Sequence, residues 1–198
     1  MAEWEDYLLP GTNVLKNNYG ITSPDELKRL EEEIVLKNLS KLYLEGMEGN
    51  FDVNHLCEIN FLLFGELYDF AGKFREVDVF KKTGFEPYQN IPSKLSELFI
   101  KKHNEQVNIE NKFEIAKYLG DFYYELISIH PFREGNGRTV REFMRQLVLV
   151  KFPDYELDYT KVDKKNFLIG VIDRKLYPSL LEYEIYNALT PLILHKQI

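Results

Sequence analysis

Between His130 and Arg141 the chain reads HPFREGNGRTVR, which places a general base, a carboxylate, an asparagine, two glycines and paired arginines in one short run. Building a core requires no such combination. An imidazole can be neutral near pH 7 and accept a proton, so His130 is a candidate base. Gly135 and Gly137 let the backbone approach a phosphate closely and can adopt positive φ. Arg138 and Arg141 can each grip phosphate oxygens with two N–H groups. Glu134 would repel phosphates unless a divalent cation lay between them, and Mg²⁺ is commonly held by one or two carboxylates plus substrate phosphate oxygens. Taken singly, each residue could be an ordinary histidine, a turn glycine or a solvated arginine. Together they describe a polyphosphate site with a base beside it.

The flanking patterns say what must hold these residues. Phe113, Ile115, Tyr118, Leu119, Phe122, Leu126, Ile127 and Ile129 recur at helical spacing, so a helix with a broad apolar face arrives at His130. Pro131 cannot extend it. Val140, Met144, Leu147 and Val148 then share one side of a second helix, with Arg138, Arg141 and Arg145 on another. The glycines therefore lie at the mouth of that helix, where unpaired N–H groups and a partial positive charge favour an anion. Cations in a first helical turn oppose the macrodipole by about 0.3–1 kcal/mol each. Arg138 and Arg141 break that rule, and such breaks are expected at functional sites.

The rest of the chain reads as all-α, interrupted once. Ser23, Pro24 and Glu26 form a capped helix start followed by Leu27, Leu30, Ile34, Leu39 and Leu42; a second apolar pattern runs through Leu56, Ile59, Leu63 and Leu67. From Phe74 to Pro87 the period changes, Val77 and Val79 alternating with charged neighbours before a Lys81–Gly84 turn, so a short β-hairpin is expected. Ser93 is placed as the cap of a helix through Leu95, Leu98 and Phe99, and helices resume after Asp163 and Pro178. With 198 residues, 1–198 fits one domain. The 14 Phe and 13 Tyr are read as core.

A net charge of −7, from 25 basic and 32 acidic residues, argues against a nucleic-acid surface. Cys57 stands alone, so no intrachain disulfide can form and a cytoplasmic location is the simplest reading. Glu3, Glu5 and Asp6 do not look like a signal peptide, and no stretch approaches the roughly 18 apolar residues of a membrane span. His55, His103 and His195 lack partners at metal or catalytic spacing and are read as surface or core histidines.

The run from His130 to Arg141 resembles the signature of the Fic family, HPFx(D or E)GNGRxxR, and matches it at every specified position. Tyr7–Ile21 resembles the start of Fic toxins paired with a small antitoxin, and Leu63–Val79 resembles the segment leading into the family's β-hairpin flap. Phe70, where the family often has Trp, and Asn60, where His is common, depart from it; both are assigned to packing. The resemblance implies a helical bundle with a small flap, at about 74–88, beside an active-site loop at 130–138. It implies transfer of AMP from ATP to a Ser, Thr or Tyr hydroxyl of a target protein, with release of pyrophosphate. His130 would take the hydroxyl proton and Glu134 would hold Mg²⁺ between the α- and β-phosphates. Gly135, Asn136 and Gly137 would form the anion nest, the Asn136 side chain reaching the α-phosphate. Arg138 would contact the β-phosphate and Arg141 the γ-phosphate, with Phe132 as the inward anchor of the loop.

Lys81, Lys82, Thr83, Gly84 and Phe85 of the flap would hold the target by strand addition. Tyr177–Leu181 resembles the region that lines the adenine pocket. Many relatives are inhibited by a helix carrying (Ser or Thr)xxxE(Gly or Asn), whose glutamate pairs with the second signature arginine. Thr22/Glu26 and Ser93/Glu97 have its first spacing, but Leu27 and Leu98 follow them, so inhibition in trans by an antitoxin glutamate at Arg141 is expected. Antitoxin-paired relatives modify the ATPase subunits of DNA gyrase and topoisomerase IV, which makes such subunits the implied targets. Two other functions fit the same residues: transfer from a different nucleotide or phosphate-containing donor, and a non-catalytic nucleotide-binding module.

Overall fold

Helix α1 (Pro24–Glu45) starts where Ser23 accepts the Glu26 N–H and Pro24 supplies a pre-set φ. Asp52 does the same for α2 (Val53–Phe64), accepting the His55 N–H at 2.9 Å. Helix α3 (Ile91–Asn104) begins ahead of the expected cap; Ser93 sits inside it, donating its hydroxyl back to the Asn90 carbonyl. The Asn111 side chain accepts from Phe113 and Glu114 to start α4 (Lys112–Ile129), and α5 (Asn136–Lys151) follows after the signature loop. The strand β1 (Tyr155–Leu157), α6 (Lys164–Ile172) and α7 (Leu180–Ala188) lead to β2 (Leu189–Pro191), which pairs antiparallel with β1. These facts come from a computed structural model that describes residues 3–79 and 84–192.

The architecture is the helical one expected. Helix α4 packs between α5 and α7, while α2 packs on α5 from the other side. Their apolar stripes meet in one cluster that includes Leu56, Ile59, Leu63, Leu119, Leu126, Val140 and Phe143. Phe143 makes edge-to-face contacts with Phe51, Phe99 and Phe122 at 5.6–5.9 Å. Phe113, expected in the core, is 59% exposed because it lies in the first turn of α4, ahead of where α5 covers that helix. The short β1–β2 ladder is too brief for alternation to reveal.

The expected hairpin differs in form. Among the described residues no ladder joins 74–79 to 84–88; residues 76 and 77 bend, Tyr88 opens a 3-10 turn, and an isolated antiparallel bridge runs from Phe74 to Phe132 of the signature loop. Lys81, Lys82 and Thr83, at the expected turn, lie outside the described residues, as does His195. Among the described residues, no helix is long and apolar enough to cross a membrane.

Candidate active site

Helix α4 ends by turning into the left-handed region at His130, with φ 51° and ψ 61°, while the His130 N–H still bonds the Leu126 carbonyl at 3.1 Å. Such caps are ordinarily glycine or asparagine, and a side chain there costs roughly 1–2 kcal/mol. The position therefore keeps an imidazole where a glycine would be the more stable choice. Pro131 then ends any continuation.

Gly135, at the N-cap of α5, takes φ 80°, and a Cβ there would lie 2.1 Å from the Phe64 ring. Only glycine fits. Gly137, by contrast, sits within the helix and does not adopt the positive φ its sequence context permits. Its contribution is space: it lines the cleft in front of Arg141.

The loop between the helices is braced from inside. Asn136 is buried; its Oδ1 accepts the Phe132 N–H at 2.9 Å and its Nδ2 donates to the Phe132 carbonyl at 2.7 Å. Each polar atom of the side chain implied to reach the α-phosphate thus makes one bond to the loop backbone. Asn136 stands as a backbone clamp, and Phe132 is the buried anchor that the resemblance implies.

Asn60 of α2 is a loop residue in all but sequence position. Its Nδ2 donates to Thr139 Oγ1 at 2.9 Å and to the Glu134 carbonyl at 3.2 Å, while its Oδ1 accepts the Gly72 N–H at 2.7 Å. Its assignment to packing understates it, because it joins α2, α5 and the signature loop.

The charged side chains face one another across the start of α5. Glu134 Oε1 accepts the Gly135 N–H at 2.7 Å and lies 3.3 Å from Arg138 Nη2. The same Arg138 nitrogen is 2.7 Å from Glu31 Oε1 of α1, and the guanidinium rests over the Phe64 ring. The Tyr68 hydroxyl donates to the other Glu31 oxygen; burial, then that bond, push the Tyr68 phenol well above its ordinary pKa. Glu31 had no signal in the sequence beyond being one of three consecutive glutamates.

Arg141 lies against Tyr123 of α4, whose pKa burial raises and the guanidinium partly restores. The Tyr159 hydroxyl donates to the Arg141 carbonyl at 3.4 Å. Arg145 belongs elsewhere: it is paired with Glu142 and stacked over Tyr43.

His130, Gly137 and Arg141 open into a cleft of about 1080 Å³. Its far wall is apolar, built from Val162 and from Phe167, Leu168 and Val171 of α6. Tyr177–Leu181, resembling an adenine-pocket region, is not in this lining. Gly84 and Phe85 close the near side, the Phe85 ring stacked on the His130 imidazole at 3.8 Å and 10°. Arg133, a variable signature position, stacks under Trp4 at 3.7 Å and near Tyr7, fastening an N-terminal 3-10 turn to the loop. His55 is a core histidine, bonded to Gln146 and stacked on Phe51.

A helix that ends on a left-handed histidine, followed by one that starts on a glycine with Arg138 and Arg141 in its first turns, defines a helical domain built around one loop. Residues 50–148 match the Fic/DOC family, and the chain belongs to that family. It is 34% identical over 171 residues to the protein adenylyltransferase VbhT of Bartonella schoenbuchensis, covering 85% of this chain but 35% of that protein. It is 31% identical over 166 residues to the probable protein adenylyltransferase y4lH of Sinorhizobium fredii, covering 82% of this chain and 84% of that protein. Thus the chain spans about a third of the first relative's length and most of the second's. Among solved structures, BepC of Bartonella tribocorum with bound AMPPNP is similar at 25% identity and a TM-score of 0.78, over 94% of this chain and 97% of that one.

Proposed function

We propose that this chain, as a single Fic domain, transfers AMP from ATP to a Ser, Thr or Tyr hydroxyl of a target protein, releasing pyrophosphate. The observation that carries the reading is the convergence of His130, Arg141 and the start of α5 on one cleft with an apolar far end. The names of VbhT and y4lH, and the ATP analogue in the BepC structure, support it. Arg138, Arg141 and the first N–H groups of α5 receive the polyphosphate, and the α6 wall receives the base. His130 accepts the proton of the acceptor hydroxyl. The hydroxyl oxygen then forms a bond to the α-phosphorus as the bridging bond to the β-phosphate breaks, its electrons leaving with pyrophosphate. Gly84 and Phe85 form the acceptor side.

Glu134 fits a Mg²⁺ role only jointly with the nucleotide. Among the described residues no group of three His, Cys, Asp or Glu is placed to hold a metal ion. One carboxylate at the mouth of a phosphate cradle is the donor set expected of an ion that keeps substrate oxygens and waters as its other ligands. Bound there, the ion would neutralise charge between α- and β-phosphates. Glu134→Gln is expected to lower transfer about tenfold or more, since such charge stabilisation is worth several kcal/mol, and to flatten its Mg²⁺ dependence. Rates measured across a Mg²⁺ titration check this; an unchanged dependence removes Glu134 from the role.

The decisive experiment incubates the chain with α-labelled ATP and a bacterial lysate and identifies the labelled proteins. Label is expected on protein from the α position; transfer only from the γ position, or none, overturns the reading. Topoisomerase ATPase subunits are the first candidates among targets, and the cytoplasm the proposed location, consistent with the lone thiol of Cys57. Control is proposed to come from a small antitoxin glutamate at Arg141. The incomplete motifs agree with that: Ser23 and Glu26 form a helix cap, and Glu97 pairs with Lys94. If the purified chain is silent and Glu31→Gln awakens it, control lies within the chain and the antitoxin reading falls.

A further inference from the structure

Arg75 is 1% exposed, yet its side chain carries a full charge. Its nearest carboxylate oxygen is that of Asp78, at 3.7 Å from Nη1. Taking a guanidinium out of water is costly unless its donors are met, and here they are met by main-chain carbonyls. Nε donates to His130 at 2.8 Å, Nη1 to Val77 at 2.8 Å, and Nη2 to Ile129 at 3.2 Å and to Glu86. Two of these carbonyls belong to the end of α4 and the histidine itself. The other two belong one to each arm of the segment that flanks the expected flap turn. The Arg75 N–H adds a bond to the Pro131 carbonyl at 2.9 Å, and the Glu86 N–H one to Ser128 at 3.2 Å.

We infer that Arg75 is a positioning residue that locks the two arms of the acceptor segment, 74–79 and 84–88, and the His130 backbone into one unit, so that Phe85 and the imidazole keep a fixed relation. The inference rests on reading that segment as the acceptor flap. A planar fork with five donors can reach four carbonyls in different directions; a lysine, with its donors at one point, cannot. The segment has no ladder of its own among the described residues, so its order depends on such cross-links. His130 gains equally, because its carbonyl is held while its φ is strained.

Hydrogen exchange on the full chain tests the coupling, with Arg75→Lys and Arg75→Gln beside the wild type. In both variants, peptides covering 74–79, 84–88 and 128–132 should exchange about tenfold faster together, while α2 and α5 keep their protection. AMP transfer at saturating ATP should fall by about tenfold or more, since small misplacements of a catalytic group have effects of that size. AMPPNP affinity and the KM for ATP should stay unchanged, which general destabilisation of the fold would not allow. In the wild type alone, under mild denaturant, the amides of Arg75, Glu86 and Phe132 should converge on one opening transition. Separate openings in the wild type overturn the inference, as does a folded Arg75→Lys chain with wild-type transfer or a loosened flap above a still-protected loop. If the wild type transfers no AMP, the functional reading fails alone, and the exchange data still decide the role of Arg75.

Discussion

His130→Ala should abolish AMP transfer while leaving AMPPNP binding close to wild type. General-base catalysis contributes about 10²–10⁴-fold, and the His130 imidazole, which lines the cleft, is the proposed base. The grip on the nucleotide, in contrast, is proposed to lie with Arg138, Arg141 and the α5 terminus. Alanine also inherits the left-handed φ of 51° without histidine's relative tolerance of it, so some stability should go too. His130→Asn separates the two effects, because asparagine is at home in that conformation. Transfer should vanish in both variants, but the melting temperature should fall more for alanine. Initial rates with α-labelled ATP, an AMPPNP titration and a thermal melt suffice. Either variant keeping more than about a tenth of the wild-type rate would remove His130 from the role of base.

Gly135→Ala is the second large effect, and it begins as a steric one. The added methyl would sit 2.1 Å from Cε2 and 2.3 Å from Cζ of Phe64, a ring buried in the core. A left-handed alanine costs roughly 1–2 kcal/mol, and forcing extra volume into a packed site typically costs about 1–3 kcal/mol. Phe64 also lies beneath the Arg138 guanidinium, so the ring cannot retreat without carrying the phosphate grip with it. Chemical denaturation should show a loss of about 2–5 kcal/mol, from those two contributions. AMPPNP affinity should drop about tenfold or more, the effect of losing a little over 1 kcal/mol of binding. Adding Phe64→Leu should recover part of the stability by opening room, but not the backbone share. Wild-type stability and affinity in Gly135→Ala would mean that the cradle does not depend on this turn.

How much of this was legible in the sequence depends on the distance over which each signal acts. The helices on either side of the loop, and the loop's anion-binding character, follow from periodicity and from residues adjacent in the chain. Arg138 and Arg141 announced themselves by violating helix-end electrostatics. Asn136 was ambiguous because an amide reads equally well as a partner for phosphate or for backbone, and the fold adds one bond from each of its polar atoms to Phe132. Glu31, Asn60 and Arg75 were invisible for a different reason. Their partners in the signature loop and α5 lie 55 to 107 positions away, and no local pattern encodes such a meeting. The apolar α6 wall had no sequence signal, because a short apolar helix does not show what it will face until it packs.

The stack of Trp4 on Arg133 has a practical consequence. The chain contains a single tryptophan, and its indole rests 3.7 Å from a guanidinium carried by the catalytic loop. Its emission is therefore a built-in optical probe of that loop, readable without labels or added cysteines. Any rearrangement that lifts Arg133 from the indole would change the emission in real time.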